Sequence, residues 1–248
     1  MFAIFKKELR SYFINAIGYV FAGVFLAVSA LLCCFTTLQN KSYSTSSYFT
    51  TVLFLLIIII PLLTMRLFAE EKKLRTEQML LTAPVSIGGM IMGKFLAAFT
   101  MFGGGVLLSC INFIPLYIYG SKERDGVPYS EMHVGPISSE IISCTIGLLL
   151  IGAAFIAIGM FVSSLTENQL AAAVVTVTII FVMLVLDMLN SYISAYAIRF
   201  VLSWFSILTR FSDFTYGMLD FSSILYFISI TGVFLFLTAR IYDKRRWG

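Results

Sequence analysis

Charge is what this sequence has least of. Asp, Glu, Lys and Arg together make up 12% of its 248 residues, against about 25% in a soluble domain. So few charges cannot cover a globular surface, which excludes an ordinary soluble fold. Histidine is nearly missing too. His133 stands alone in a polar loop, so a histidine-built metal site and a His-based catalytic triad are both excluded. Cys33, Cys34, Cys110 and Cys144 follow no zinc spacing. They lie in or beside apolar runs and read as small buried hydrophobes, not as a disulfide framework. The sequence has no paired carboxylates, no H-E-x-x-H and no nucleophile elbow. A membrane enzyme acting on lipid therefore has no machinery here, and without a ladder of intramembrane acids a proton-coupled pump is equally unsupported.

What the sequence does have is apolar length. Hydrophobic residues make up 59%, with 24 Phe and a mean hydropathy of +0.95. The expectation is a single all-α integral membrane domain over residues 1–248. A helix needs about 20 apolar residues to cross the hydrocarbon, and six runs qualify: 17–38, 48–65, 91–119, 141–162, 170–189 and 221–239. The first exceeds the ~7–15 residues of a signal h-region, so it reads as a retained span. Pro61 is expected to kink span 2, and Gly103-Gly104-Gly105 to allow close helix approach or a break in span 3. Residues 1–15 read as an interfacial helix, with Phe2, Phe5, Leu9, Tyr12 and Phe13 opposite Lys6, Lys7, Glu8 and Arg10.

The stretch 190–220 is ambiguous. Tyr192, Tyr196, Phe200 and Trp204 recur every four residues. A seventh span would put Arg199 near its middle, at about 2.5–3.5 kcal/mol on insertion scales. The expectation is a re-entrant or interfacial segment on the outer side. Six spans then place both termini and the insert after span 2 on one side, with Lys6, Lys7, Arg10, Arg66, Lys72, Lys73, Arg75, Lys94, Arg240, Lys244, Arg245 and Arg246. Lys41, Lys122, Arg124, Arg199 and Arg210 fall on the other. The richer side is assigned to the cytoplasm, giving N-in and C-in. The net charge of +4 serves this orientation and implies no nucleic-acid partner.

The insert, 67–86, is the densest charge in the chain. Glu71 and Arg75 stand four apart, Glu70 and Lys73 three apart, the spacing of supporting pairs on a helix. Leu67, Leu74 and Leu81 would share a stripe, and Pro84 would end the element at Ala83. From charge alone it reads equally as a solvated loop. Just after it, Gly88-Gly89-Met90-Ile91-Met92-Gly93-Lys94-Phe95 has the phosphate-loop spacing, but Phe95 replaces the Mg²⁺-binding Ser or Thr and no strand precedes it. Lys94 is instead expected to snorkel at the end of span 3. Glu140 and Asp187, at the outer ends of spans 4 and 5, are candidates for a transport path or for capping.

Glu70-Glu71-Lys72-Lys73 followed by Thr76-Glu77-Gln78-Met79-Leu80-Leu81-Thr82-Ala83-Pro84-Val85-Ser86 resembles the segment after span 2 in ABC-2-type transporter permeases. The gliding-motility and nitrous-oxide-reductase-maturation branch is the most similar. Gly93-Lys94-Phe95 fits the following span start, and Ser163-Ser164-Leu165-Thr166-Glu167-Asn168-Gln169 resembles the polar turn between spans 4 and 5. Many relatives have Gly where this chain has Arg75, a departure that bears on the local turn. The resemblance implies a permease subunit in the bacterial plasma membrane, paired with a second permease and carrying out no catalysis of its own. It implies an exporter driven by a separate ATPase chain that binds ATP and Mg, with no cofactor bound here and an accessory protein as a further partner. The insert would be the coupling helix, with Glu70, Glu71, Lys72, Arg75, Thr76, Glu77 and Gln78 meeting the ATPase. Ser163, Ser164, Glu167, Asn168 and Gln169 would be turn contacts. The alternative is a non-transporting assembly or mechanical-signalling subunit of such a complex.

Overall fold

The computed structural model describes residues 1–14, 16–39, 44–78, 86–118, 136–190 and 206–247. The expectations for His133 and its polar loop, for the aromatic stripe at 192–204 with Arg199, and for the end of the insert at Pro84 lie outside these residues. Among the described residues the chain is helical and contains no strand. Six helices are long and apolar enough to cross a membrane.

In chain order, α1 (Phe2–Ile14) is followed by α2 (Ala16–Cys33), which ends in a π-helical turn over Cys34–Leu38. Next come α3 (Ser46–Thr64) and the short α4 (Ala69–Lys73). The Ser86 hydroxyl caps α5 (Ile87–Ser109) by accepting from the Gly89 N–H at 3.3 Å. The would-be phosphate loop is thus the first two turns of a helix. α6 (Ser138–Leu165) and α7 (Gln169–Asn190) follow, then α8 (Leu208–Thr215) and α9 (Phe221–Trp247).

Packing puts α6 and α3 at the centre. Their most apolar windows are 72% and 67% buried, against 11% for α9. Small residues let α6 take neighbours on several sides. A Cβ on Gly152 would lie 2.0 Å from the Phe102 ring, and one on Gly159 would lie 2.2 Å from the Thr64 hydroxyl. The peripheral helices keep broad apolar faces exposed, as at Tyr19, Val20 and Leu31 on α2 and at Phe221, Ile228 and Phe236 on α9. Such faces suit lipid, where apolar side chains need no burial.

Helix α3 continues through Pro61 to Thr64, and the chain turns only after that. Other local expectations change. The glycine triplet does not break α5. Gly105 admits the Phe25 ring, which would come within 3.2 Å of an added Cβ, and the helix tightens to a 3-10 turn only at Cys110–Phe113. The helix that holds span 6 runs beyond 221–239 and carries the basic cluster on to Trp247. The insert is not one helix. It is α4, a turn, and a second helical start at Glu77 and Gln78.

Candidate functional site: the elbow after the second span

Leaving α3, the chain turns through residues 65–68. The Leu67 N–H donates to the Thr64 carbonyl at 3.1 Å, and α4 starts from Phe68. Phe68 has no side-chain oxygen to cap the new helix, whose first N–H groups are orphans. Ser163, from the last turn of α6, supplies one. Its hydroxyl oxygen accepts from the Phe68 and Ala69 N–H groups at 3.2 and 3.1 Å, and its proton goes to the Met65 carbonyl at 3.1 Å. A single hydroxyl therefore fixes the exit from α3 and the entry to α4.

The other end of α4 depends on Arg75. Its φ is +57°, which makes it the sole non-glycine residue with positive φ among those described. The Arg75 N–H reaches back to the Lys72 carbonyl and the Thr76 N–H to the Glu71 carbonyl, both at 3.0 Å. This is a left-handed helix C-cap, a position glycine usually fills because it has no Cβ to crowd the following carbonyl. The departure noted at Arg75 therefore falls on the one backbone position where glycine is the natural residue. The predicted stripe and pairs do not form, each for its own reason. Leu67 lies in the turn before α4 and is buried while Leu74 is 63% exposed, Glu70 is taken by Arg66, and once the chain reverses at Arg75 helical spacing no longer relates Glu71 to it.

Glu70 instead pairs with a cation one helical turn before it, and Glu71 and Glu77 with cations distant in sequence. Arg66 holds Glu70 by two parallel bonds, Nε to Oε2 at 2.7 Å and Nη2 to Oε1 at 2.5 Å. The Lys94 ammonium, 1% exposed, donates to Glu71 at 2.8 Å, to Glu8 at 3.1 Å and to the Leu67 carbonyl at 2.8 Å. Lys94 does not snorkel, because two carboxylates and a carbonyl are brought to it inside the protein. Lys7 lies 3.8 Å from both Glu8 and Glu71. Alternating signs let this buried cluster exist, since an unpaired charge there would carry a heavy desolvation cost. A polar cavity of about 430 Å³ opens between α1 and the elbow, bordered by Lys7, Glu8, Arg66, Glu70, Glu71 and Lys94. Its three cations and three carboxylates neutralise one another, leaving no surplus charge for an anion.

The last helix closes the elbow from the other side. The Tyr242 ring packs on Phe68 with centroids 4.9 Å apart, and Lys94 lies 5.1 Å above the same ring. Arg245 donates to Glu77 at 2.9 Å and to the Ser164 carbonyl at 3.0 Å. The Lys72 ammonium donates to the same Ser164 carbonyl. Two cations thus serve one carbonyl in the last turn of α6, where no further helical N–H follows and the helix dipole favours positive charge. The first helix is tied in as well. Burial pushes the Tyr12 phenol far above its ordinary range, so it stays protonated and donates to the Leu63 carbonyl at 3.3 Å.

The insert residues therefore divide into two groups. Glu70, Glu71, Lys72 and Glu77 turn inward and hold the elbow. Lys73, Leu74, Arg75, Thr76 and Gln78 are exposed. In the turn after α6, Ser163 and Ser164 are fully buried posts of the elbow. Glu167 and Asn168 are exposed, and Gln169, the first residue of α7, is half-buried. Asn168 accepts from the Leu170 N–H at 3.0 Å and so opens α7. Glu8, Lys94, Tyr242 and Arg245 belong to the assembly but were not foreseen from sequence.

Glu140 and Asp187 lie at the opposite end of the bundle. Asp187 caps α8, accepting from the Leu208 N–H and, at 3.1 and 3.0 Å, from the Thr209 N–H and hydroxyl. Of the two roles foreseen for Asp187, the structure brings out capping. Glu140 is in the first turn of α6, buried, with Oε1 lacking a hydrogen-bond partner.

Fold and elbow together define a multi-span helical membrane protein with a braced polar turn after its second span. Residues 35–241 match the family described as "ABC-2 family transporter protein", and the chain belongs to that family. No curated protein matches the chain.

Proposed function

We propose that this chain is the membrane-spanning permease subunit of an ATP-driven ABC-2 exporter, and that the elbow over residues 67–78 is its coupling element. The observation that carries this reading is the bracing of the elbow. Ser163 and Ser164 tie it to α6, Lys94 to α5, Glu8 to α1, and Tyr242 and Arg245 to α9. A push on the exposed turn is then carried into several spans at once, which is what converting ATP-driven closure into alternating access requires. ATP and Mg are bound and ATP is hydrolysed on a separate ATPase chain, and a second permease completes the membrane core. The elbow faces the cytoplasm, with α1 lying in the headgroup plane of a bacterial plasma membrane. The motif over residues 70–86 favours the gliding-motility and nitrous-oxide-maturation branch.

The test uses the chain purified with its ATPase in nanodiscs. Arg245→Ala and Ser163→Ala should leave the ATPase bound and hydrolysing but abolish the nucleotide-driven change in spacing between labels on α3 and α9. If no ATP-hydrolysing chain co-purifies with the wild-type protein, the proposal is wrong.

A further inference from the structure

The elbow spends its negative charge internally. Glu70 is taken by Arg66, Glu71 by Lys94 and Lys7, and Glu77 by Arg245. Lys72 is spent on the Ser164 carbonyl. What the turn offers outward is different in kind. The side chains of Lys73 and Arg75 are exposed and make no hydrogen bond or ion pair among the described residues, and Leu74 stands between them. Leu74 is 63% exposed at the rim of the cavity beside the paired polar cluster. Arg75 holds an unfavourable left-handed backbone at a position glycine fills more easily. A strained residue persists where something over-determines it, and strain clusters at ligand clamps and switch regions.

We propose that the exposed tip Lys73-Leu74-Arg75 docks into a cleft on the partner ATPase that has an acidic rim and an apolar floor. This rests on the coupling reading above and specifies its chemistry: the carboxylates belong to the partner, and the acids of the elbow only shape the tip. Leu74 enters the floor as a small central anchor, and the flanking cations pair with the rim. Fully desolvated anchors inside a polar rim carry most of the affinity at such interfaces, while complementary charge sets partner choice and encounter rate. A bilayer surface fits the tip less well. Each cation near an anionic membrane contributes only about 1 kcal/mol, so two of them hold weakly, whereas paired carboxylates in a cleft bind directionally.

The experiment places the photo-reactive residue p-benzoylphenylalanine at position 74 of the full chain, in membranes of its native host, and sequences the cross-linked partner peptide. The expected adduct lies on an ATP-hydrolysing chain, in a peptide with Asp or Glu beside the cross-linked atom. Lys73→Glu with Arg75→Glu should cut its yield roughly tenfold or more, the loss expected for broken charge-assisted bonds. Lys73→Arg with Arg75→Lys should retain it. Exchanging the partner's carboxylates for Lys should restore the adduct with the doubly reversed chain, a rescue that a merely misfolded variant would not give. An adduct on lipid, an ATPase peptide without carboxylates, a yield indifferent to reversal, or no rescue would each overturn the docking chemistry while leaving the coupling reading intact. Failure of any ATPase to co-purify with the wild-type chain would instead defeat that underlying reading.

Discussion

The two ends of the bundle solve the problem of polar groups next to apolar helices in opposite ways. At the elbow end, polar groups are ionic and matched: Arg66 with Glu70, Lys94 with Glu8 and Glu71, Arg245 with Glu77. At the other end, the described residues make no ion pair. Asp187 is satisfied by neutral donors of α8, and Arg210 lies 4.1 Å above the Tyr226 ring. Six buried atoms there lack hydrogen-bond partners: Thr45 Oγ1, the Tyr48 hydroxyl, Glu140 Oε1, Asn190 Oδ1, Arg210 Nε and the Tyr226 hydroxyl. Matched buried charges lock one geometry, because breaking any pair strands the other member. Orphaned polar atoms leave room for a rearrangement that satisfies them. The elbow end is thus built to move as one body, and the far end to change its contacts.

The contrast breaks most visibly at Lys94. Lys94→Met strands Glu8 and Glu71 with only exposed Lys7 to balance them, and should cost about 3–5 kcal/mol, read from thermal unfolding in nanodiscs. Adding Glu71→Gln should return part of that loss. A change within about 0.5 kcal/mol, the range of ordinary surface substitutions, would mean that the cluster is not a lock. At the other end, Asp187→Ala removes the acceptor of α8's first N–H groups. It should cost about 2 kcal/mol, confined to that helix and seen as faster amide exchange at 208–215. If the exchange spreads to the elbow, the two ends are not independent.

Ser163→Ala tests the joint itself at a smaller cost. It removes the acceptor of the Phe68 and Ala69 N–H groups in a buried place, where an unsatisfied donor costs about 1–3 kcal/mol. Faster amide exchange at residues 68 and 69, without loss of the α6 core, is the expected signature.

What could be read from sequence follows from what is local. Six runs of apolar residues and a charged insert after the second are visible as length and composition, and all six appear as helices. Most of the elbow's interior was not legible, because apart from Arg66 with Glu70 its ion pairs join residues distant in sequence. Lys94 lies 86 residues from Glu8, and Arg245 lies 168 from Glu77. Periodicity inside the insert suggested Glu71 with Arg75, a pairing that assumes an unbroken helix. One left-handed residue cancels that assumption, and hydrophobic patterning carries no mark of it. Two signals did exist. Lys94 stands two turns inside an apolar helix, a depth that calls for a buried partner. The resemblance set Arg75 against a glycine in many relatives, a contrast that points to a backbone position with a special need.

That position supplies the subtlest prediction, because here substitution should help the fold. Arg75→Gly relieves the crowding between Cβ and the following carbonyl at φ +57° and should stabilise the protein by about 1 kcal/mol. Some of that gain is lost because glycine also loosens the unfolded chain. The melting temperature in nanodiscs should rise slightly while retention of the ATPase weakens, the opposed pair of effects expected where strain is kept for binding. If stability falls, the guanidinium is serving the fold and not a partner. If stability rises and ATPase retention is unchanged, Arg75 is an ordinary strained residue, and the elbow's tip carries no more function than the Asp187 cap at the far end.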